Sequence, residues 1–550
     1  MRGLLLLMDW IRRLRSGLRR AERPSPKQKK PKQLVNDGMT ISERIKAVDE
    51  LALTRDLATN LRNMKEIIGA SDDVGIREIL ITRQRIRAAL VFVEGLVDST
   101  AIESAIDNLT LETFQIARDG AKVGPLDTAI RDILISQKGI KTVSDFVGLW
   151  TEVSLGKTGL LVDGEGTCFV IDSQGWRSRG IEEPPSEPVI RGPHEGFVES
   201  IQVNLSLIRR RIRNPHLHVR ILAIGRLTQT TVAYVYIKGL ADDGLVQEVK
   251  HRLERIDIDG VLTSGYLEDF IEDTPFTIFP LVLNTERPDR VAAHILEGKV
   301  AIFTDGTPET LIVPVTLIAT LQAPDDYYER ATIGSFIRFV RIVAYTTAIL
   351  LPGTYVALVN FHQELLPTAL LLRVASFREG IPFPVVAEIL VMEFLFEVLR
   401  EAGVRLPRAI GSALSIVGAL ILGDAAIGSG LVSPSVVIIV ALTAISSFSA
   451  PTFSAAIAGR LLRFVFIILA GTFGLFGLQF GLLVLITHLN SLRSFGEPYL
   501  SPMTPLILSD LKDTFIRAPW WRMVYRPGGR ERKRQDIGQR PRPRPDESQS

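Results

Sequence analysis

The run Phe464–Leu492, FVFIILAGTFGLFGLQFGLLVLITHLNSL, carries no formal charge from end to end. About 20 consecutive apolar residues suffice to cross the hydrocarbon core of a bilayer, so this run is long enough to span. Two more charge-free runs precede it: Ile342–Phe361 (IVAYTTAILLPGTYVALVNF) and Ala425–Gly459, the second long enough for nearly two passes. Between those two lies a stretch of another kind, VVAEILVMEFLFEVLREAGVRLP at 385–407, which puts carboxylates where a bilayer excludes them. Working outward, the chain reads as multi-domain: two soluble α/β (α+β) subdomains, then an α-helical membrane domain at 333–492 with about five segments, near 338–361, 383–400, 409–431, 434–452 and 463–489.

The average composition hides this division, because the soluble half dilutes the membrane half: of 550 residues, 46% are hydrophobic and 23% charged. The net charge of +3 conceals two basic tails. Residues 1–33 hold eleven Lys or Arg against Asp9 and Glu22, and residues 522–550 hold nine against four acids. A basic N-terminal tail at 1–40 and a basic, partly disordered C-terminal tail at 493–550 fit an anionic lipid surface. No aromatic or Gly-rich binding pattern accompanies them, so nucleic acid is not the expected partner. Both tails prefer the cytoplasm by the positive-inside rule, whereas five segments place them on opposite sides. One segment is therefore expected to be re-entrant or interfacial, with Leu365–Leu372 against the Glu-rich helix as the candidate.

Cys168 is the only cysteine, which excludes an intramolecular disulfide and a thiolate zinc site. No Walker loop, Gly-x-Ser-x-Gly elbow or His-Glu-x-x-His is present, so neither an enzyme nor a cofactor is expected. The Asp-Gly pairs at 163, 259 and 305 read as turns. His216 and His218 stand two apart without a third ligand in sight, and read as a surface pair rather than a metal site.

Residues 41–150 combine helical stretches with a Val/Ile/Leu-rich strand region at 76–97, the first α/β subdomain. A β-hairpin pattern at 158–172 opens the second, which runs over 151–325. Within it, Arg191, Glu195, Asn204, Arg209, Arg210 and Arg211 surround a Gly-Pro loop that opens a helix ending in three arginines. This pattern suits an anion site, a docking surface for another subunit, or simply a solvated basic helix end.

In the membrane half, Glu393, Glu397 and Glu401 recur every four residues with Arg400 beside them, so they share one helical stripe, while Glu388 lies off it with a partner of its own. Such a stripe faces protein, water or headgroups: a charge at the bilayer centre costs at least about 2.5 kcal/mol. An amphipathic helix in the interface is the alternative. Downstream, Gly411, Ser415, Gly418, Leu422, Ala425 and Ser429 form a face that is small except at Leu422. It suits close helix packing, or a narrow pore in a symmetric ring with Leu422 as constriction. Asp424 points away from that face as a second intramembrane polar site.

Several motifs resemble one family. PFPVVAE at 382–388, LREAGVRLP at 399–407, IGSALSIVG at 410–418, GLVSP at 430–434 and VALTAI at 440–445 are similar to the A subunits of GerA-type spore germinant receptors, as are LEGKVAIFTDGTP at 296–308, FHQELLP at 361–367 and PYLSP at 498–502. The resemblance implies a multi-pass protein of the spore inner membrane with a cytoplasmic N-terminal domain. It further implies a homo-oligomeric ion channel working with a transporter-like B subunit and a lipoprotein C subunit, releasing ions and dipicolinate on nutrient sensing. A paralogous branch that accompanies dipicolinate release looks alike. A secondary transporter and a non-conducting scaffold are the alternatives.

Overall fold

The structure, a computed structural model, describes residues 41–49, 51–69, 71–81, 86–116, 141–175, 183–184, 187–405, 423–523 and 526. Helices α1 (Ile41–Asp49) and α2 (Leu57–Ile68) lead into the hairpin β1 (Val74–Ile81) and β2 (Ile86–Val93). Helix α3 (Ser99–Ile116), strand β3 (Lys141–Val143) and helix α4 (Phe146–Val153) follow, and a second hairpin closes the unit, β4 (Thr158–Val162) and β5 (Cys168–Ile171). The five strands form one antiparallel sheet in the order β1-β2-β4-β5-β3. One face packs on Leu57, Leu61, Met64, Phe146 and Trp150, the other on Ile102, Ala105 and Leu109 of α3. The expected boundary at 150 is thus corrected. Strand β4 pairs with β2, Ala88 opposite Val162, so the 158–171 hairpin completes the first sheet rather than opening the second.

The second unit repeats the plan. Helix α5 (Ile201–Arg211) precedes the hairpin β6 (Leu217–Ile224) and β7 (Thr230–Ile237); then come α6 (Asp243–Glu254), α7 (Ser264–Ile271), β8 (Leu283–Thr285), α8 (Pro288–Leu296) and the hairpin β9 (Val300–Thr304) and β10 (Thr310–Val313). The strand order, β6-β7-β9-β10-β8, is that of the first sheet, again antiparallel throughout. The likeness extends to single hydrogen bonds. Asn60 in α2 donates to Thr54 O at 2.6 Å and accepts from Thr54 N at 2.9 Å; Asn204 in α5 does the same with Val198 O and N at 2.6 and 2.9 Å. Asp163 accepts from the first helical N–H of α2, at Leu57, at 3.1 Å, and Asp305 from that of α5, at Ile201, at 3.0 Å. After each aspartate a glycine with positive φ, Gly164 or Gly306, donates its N–H to the loop before the helix, at 2.8 Å in both units. These carboxylates accept at helix N-termini, where orphan N–H groups and the helix dipole favour them.

The helical part begins with α9 (Leu317–Leu321) and α10 (Asp325–Tyr328), continues in α11 (Ala331–Asn360), α12 (Thr368–Arg378), α13 (Val385–Arg405) and α14 (Pro434–Ser447), and ends with α15 (Phe453–Ser491). By length and composition α11 and α15 are suited to crossing a membrane. Helix α15 is two limbs. Gly474 adopts φ 61°, ψ −141°, outside helical space, and a Cβ on Gly477 would collide with the Leu469 carbonyl. A Cβ on Gly481 would stand 3.0 Å from Phe466, while Ala458 and Leu489 share one cluster with Leu462 and Leu485 packed beside them. The segment expected as one pass at 463–489 therefore reverses at Gly474, and both ends of α15 lie at the sheet end of the bundle.

The C-terminal segment returns to the second sheet. Strands β11 (Arg493–Ser494) and β12 (Glu497–Pro498) form a small hairpin. Ser494 Oγ donates to Leu281 O at 2.7 Å and accepts from Val315 N at 3.0 Å, and Tyr499 is buried in the same core as Leu489, Val291 and Phe303. Tyr499 and Leu500 thus belong to the second subdomain's core, residues 513–517 are tied to α11, and the segment expected as a loose tail sits with the N-terminal sheets at one end of the bundle.

Candidate functional site

Helix α13 runs from the far end of the bundle toward the sheets, and its carboxylates meet arginines from α12, α15 and α13 itself. At the far end, Arg378 of α12 stands 3.5 Å from Glu388, whose Oε2 also accepts from Ser433 N and Oγ, both at 3.0 Å. Farther along, Glu393 and Arg463 are both fully buried and paired, and Arg463 Nε donates to Ala348 O of α11 at 2.9 Å. Nearer the sheets, Glu397 receives Arg400 at 3.1 Å and Arg460 at 3.3 Å. Arg400 also donates to Ser447 Oγ at 2.7 Å and lies over the rings of Phe396 and Phe448, 4.9 and 5.0 Å from their centroids.

This is an ion-pair ladder along the inside of one subunit. Its helices come together through small residues: a Cβ on Gly471 would stand 2.8 Å from Val386, and one on Gly353 3.0 Å from Phe466 O. Glu393 Oε1 and Arg463 Nη2 remain buried without hydrogen bonds, so the central rung holds unspent polar capacity in an apolar setting. Chemically the ladder neutralises charge and fixes helix positions. Removing one partner of a buried pair strands the other, at a cost of about 3–5 kcal/mol. Among the described residues no group of His, Cys, Asp and Glu is arranged to hold a metal ion.

The other expected positions distribute differently. Gly411, Ser415, Gly418 and Leu422 lie outside the described residues. Ala425 and Ser429 are exposed, and so is Asp424. Asp424 sits one turn inside the far end, since the Cβ position of its neighbour Gly423 lies 3.8 Å from Val437. Leu365–Leu372 does not lie along the Glu-rich helix; α12 leaves only Val374 buried and reaches α13 through Arg378.

The loop read as an anion site, a docking surface or a solvated basic helix end has most of its charged groups engaged within the chain. Asn204 is the helix-start lock described above, and Arg209 is buried between the subdomains, with Nε 2.6 Å and Nη2 2.7 Å from Asp73 and Nη2 2.8 Å from Ser71. Arg211 pairs with Glu195 at 2.6 Å and Arg191 with Glu329 at 3.7 Å, while Arg210 uses its carbonyl to accept from Arg213 at 3.2 Å. His216 and His218 are buried at the same junction rather than on the surface. Burial, then the charge of Arg44, pushes His216 down to about 4; burial, then Arg209, pushes His218 down to about 3.

Sequence reasoning named Arg400 but missed Arg378, Arg460 and Arg463, the other arginines of the ladder. Arg463 lies ten residues inside α15 and is fully buried. The available signal was an arginine flanked on both sides by apolar helix. It missed the neck as well, where Asp326 accepts from Arg341 at 2.7 and 2.9 Å and from Arg338 at 3.2 Å, and Arg338 reaches Asp513 of the C-terminal segment at 2.9 Å.

Comparison with known proteins bears on this arrangement. A family model described as Bacillus/Clostridium GerA spore germination protein matches residues 62–528. The chain is 45% identical over 500 residues to spore germination protein KA of Bacillus subtilis (strain 168), covering 89% of this chain and 90% of that one. It is 39% identical to spore germination protein GerLA of Bacillus cereus, covering 87% and 96%. Among solved structures, the N-terminal domain of the A subunit of the Bacillus megaterium spore germinant receptor GerK3 matches 48% of this chain and 95% of its own length, at 35% identity and a TM-score of 0.38.

Proposed function

The chain belongs to the GerA family of spore germination proteins, and from that premise we propose that it is the A subunit of a germinant receptor in the spore inner membrane, a non-enzymatic subunit of an oligomeric ion channel. Its partners are further copies of itself, a transporter-like B subunit and a lipoprotein C subunit. Nutrient sensing opens the channel and leads to ion and dipicolinate release.

One observation carries the reading. Glu388, Glu393 and Glu397 are shielded within the subunit by arginines, whereas Asp424 is exposed beside the exposed Ala425 and Ser429. A carboxylate at the bilayer centre costs at least about 2.5 kcal/mol, and one held a turn inside the end of the bundle is still better placed against protein or water than against lipid. In an assembled ring it faces a neighbour or a water-filled conduit. The ladder is the frame of that conduit, not its lining.

On this reading the passes are α11, α13, α14 and the two limbs of α15, with the segment expected from the sequence at 409–431, outside the described residues up to 422, as the sixth. An even count puts both basic tails with the sheets on the cytoplasmic side, which removes the conflict with the charge rule. Planar-bilayer recordings of the full chain, alone and with its partner subunits, test the proposal. Unitary currents that are lost in Asp424→Asn and blocked by bulky replacements at Ser415, Gly418 and Leu422 are expected. Silence in every combination overturns it in favour of a scaffold.

A further inference from the structure

Two stretches that take no part in the ladder expose large apolar side chains at the sheet end of the bundle. The first is the loop after α7. Phe276 is 98% exposed and Ile278 is exposed beside it, although Thr277 is tied to His488, one turn from the end of α15, at 3.1 Å, and Phe279 packs on the same ring. The second is the C-terminal segment, where Leu508, Ile516, Trp520 and Trp521 are all exposed. It too is anchored at a helix end: Arg517 N donates to Ser335 Oγ of α11 at 3.0 Å, and Trp520 packs on Tyr327, with centroids 6.0 Å apart. Both stretches are therefore held, by separate contacts, at the level where the two longest apolar helices leave the bundle.

Three exposed arginines share that level: Arg330 caps α11, Arg493 follows α15, and Arg522 adjoins Trp521. We propose that the Phe276 loop and the Leu508–Trp521 segment form a collar that inserts into the headgroup and upper acyl region of an anionic lipid leaflet. This rests on the membrane reading above. The physics is that of interfacial anchoring: Trp and Phe gain by leaving water while staying at headgroup depth, and each arginine near an anionic surface adds about 1 kcal/mol. The collar continues the surface already given to lipid, for Leu483, Val484 and Ile486 are exposed on α15 just above His488, and Phe336, Phe339 and Val340 on α11 just beyond Ser335. Its consequence is mechanical, since the leaflet holds the second sheet at a fixed height and tilt against the bundle.

Spin-label accessibility tests the proposal in the full chain. Cys168 is the single cysteine and is buried, so Cys168→Ser supplies a background in which Phe276→Cys and Ile516→Cys are labelled one at a time. Phe480→Cys on α15 is the deep reference, and Leu227→Cys, at the turn after β6, the aqueous one. In vesicles of phosphatidylglycerol and phosphatidylethanolamine, labels at 276 and 516 are expected to show oxygen-to-nickel-chelate accessibility between the two references. Labels that match Leu227 overturn the collar, and so do labels immobilised and hidden from both reagents, which place these side chains against another subunit. If the label at 480 is itself water-accessible, the membrane reading fails and not the collar alone.

Discussion

The two sheets differ in what covers them, not in how they are built. The first is closed on both faces by its own helices, α1, α2 and α4 on one side and α3 on the other. The core of the second continues without a break into Ala458, Leu489 and Leu492 of α15 and Tyr499 of the C-terminal segment. One copy of the fold thus stands free except at the Asp73–Arg209 junction, while the other is fused to the bundle. Any movement of the second sheet must displace helix ends, whereas the first can move by opening the junction of residues 71–73 with Arg209 and β6. The second sheet is therefore the one mechanically joined to the bundle.

The comparison breaks most severely at the neck. Asp326→Ala leaves Arg338 and Arg341 buried without their shared carboxylate, and is expected to cost about 3–5 kcal/mol. Thermal unfolding of the full chain in detergent should show the second sheet and the bundle failing together. Asp73→Ala strands Arg209 in the same way but keeps Ser71 as an acceptor, so a loss of about 3 kcal/mol is expected. Here limited proteolysis between residues 172 and 200 should accelerate while α15 stays protected.

Acid should loosen the same junction. His216 and His218 titrate at about 4 and about 3 in the folded chain against an ordinary value of 6.5, so below 6.5 the unfolded state takes up protons that the folded state refuses. Stability contributed by the neutral rings is complete above pH 6.5 and is lost progressively as the pH falls toward 4. By pH 5 a loss of about 2 kcal/mol per histidine is expected, read as a downward shift of the first transition in a pH series of melting curves. The smallest effect sharpens the likeness: Asn60→Ala and Asn204→Ala should each cost about 1–2 kcal/mol through the two backbone hydrogen bonds they share, and a larger cost at Asn60 would measure the extra bond it accepts from Thr54 Oγ1 at 2.9 Å.

Much of this was legible along the chain. Charge-free runs marked the bundle, a four-residue spacing placed Glu393 and Glu397 on one face, and Asp-Gly pairs at 163 and 305 marked turns. The internal duplication was also written there, in FVEGLVD at 92–98 against YIKGLAD at 236–242 and LVDGEG at 161–166 against FTDGTP at 303–308, but a search for catalytic motifs passes over it.

What the sequence by itself determined is whatever depends on near neighbours: helix against strand, apolar length, and which carboxylates share a stripe. Only the tertiary structure decided that Glu393 meets Arg463, seventy positions away, that α15 doubles back at Gly474, and that Tyr499 and Leu500 complete a core begun near residue 197. Local periodicity is set by backbone geometry and can be read one turn at a time. Long-range partners are chosen by the shared need to bury apolar surface without stranding a charge, and that constraint belongs to the whole fold.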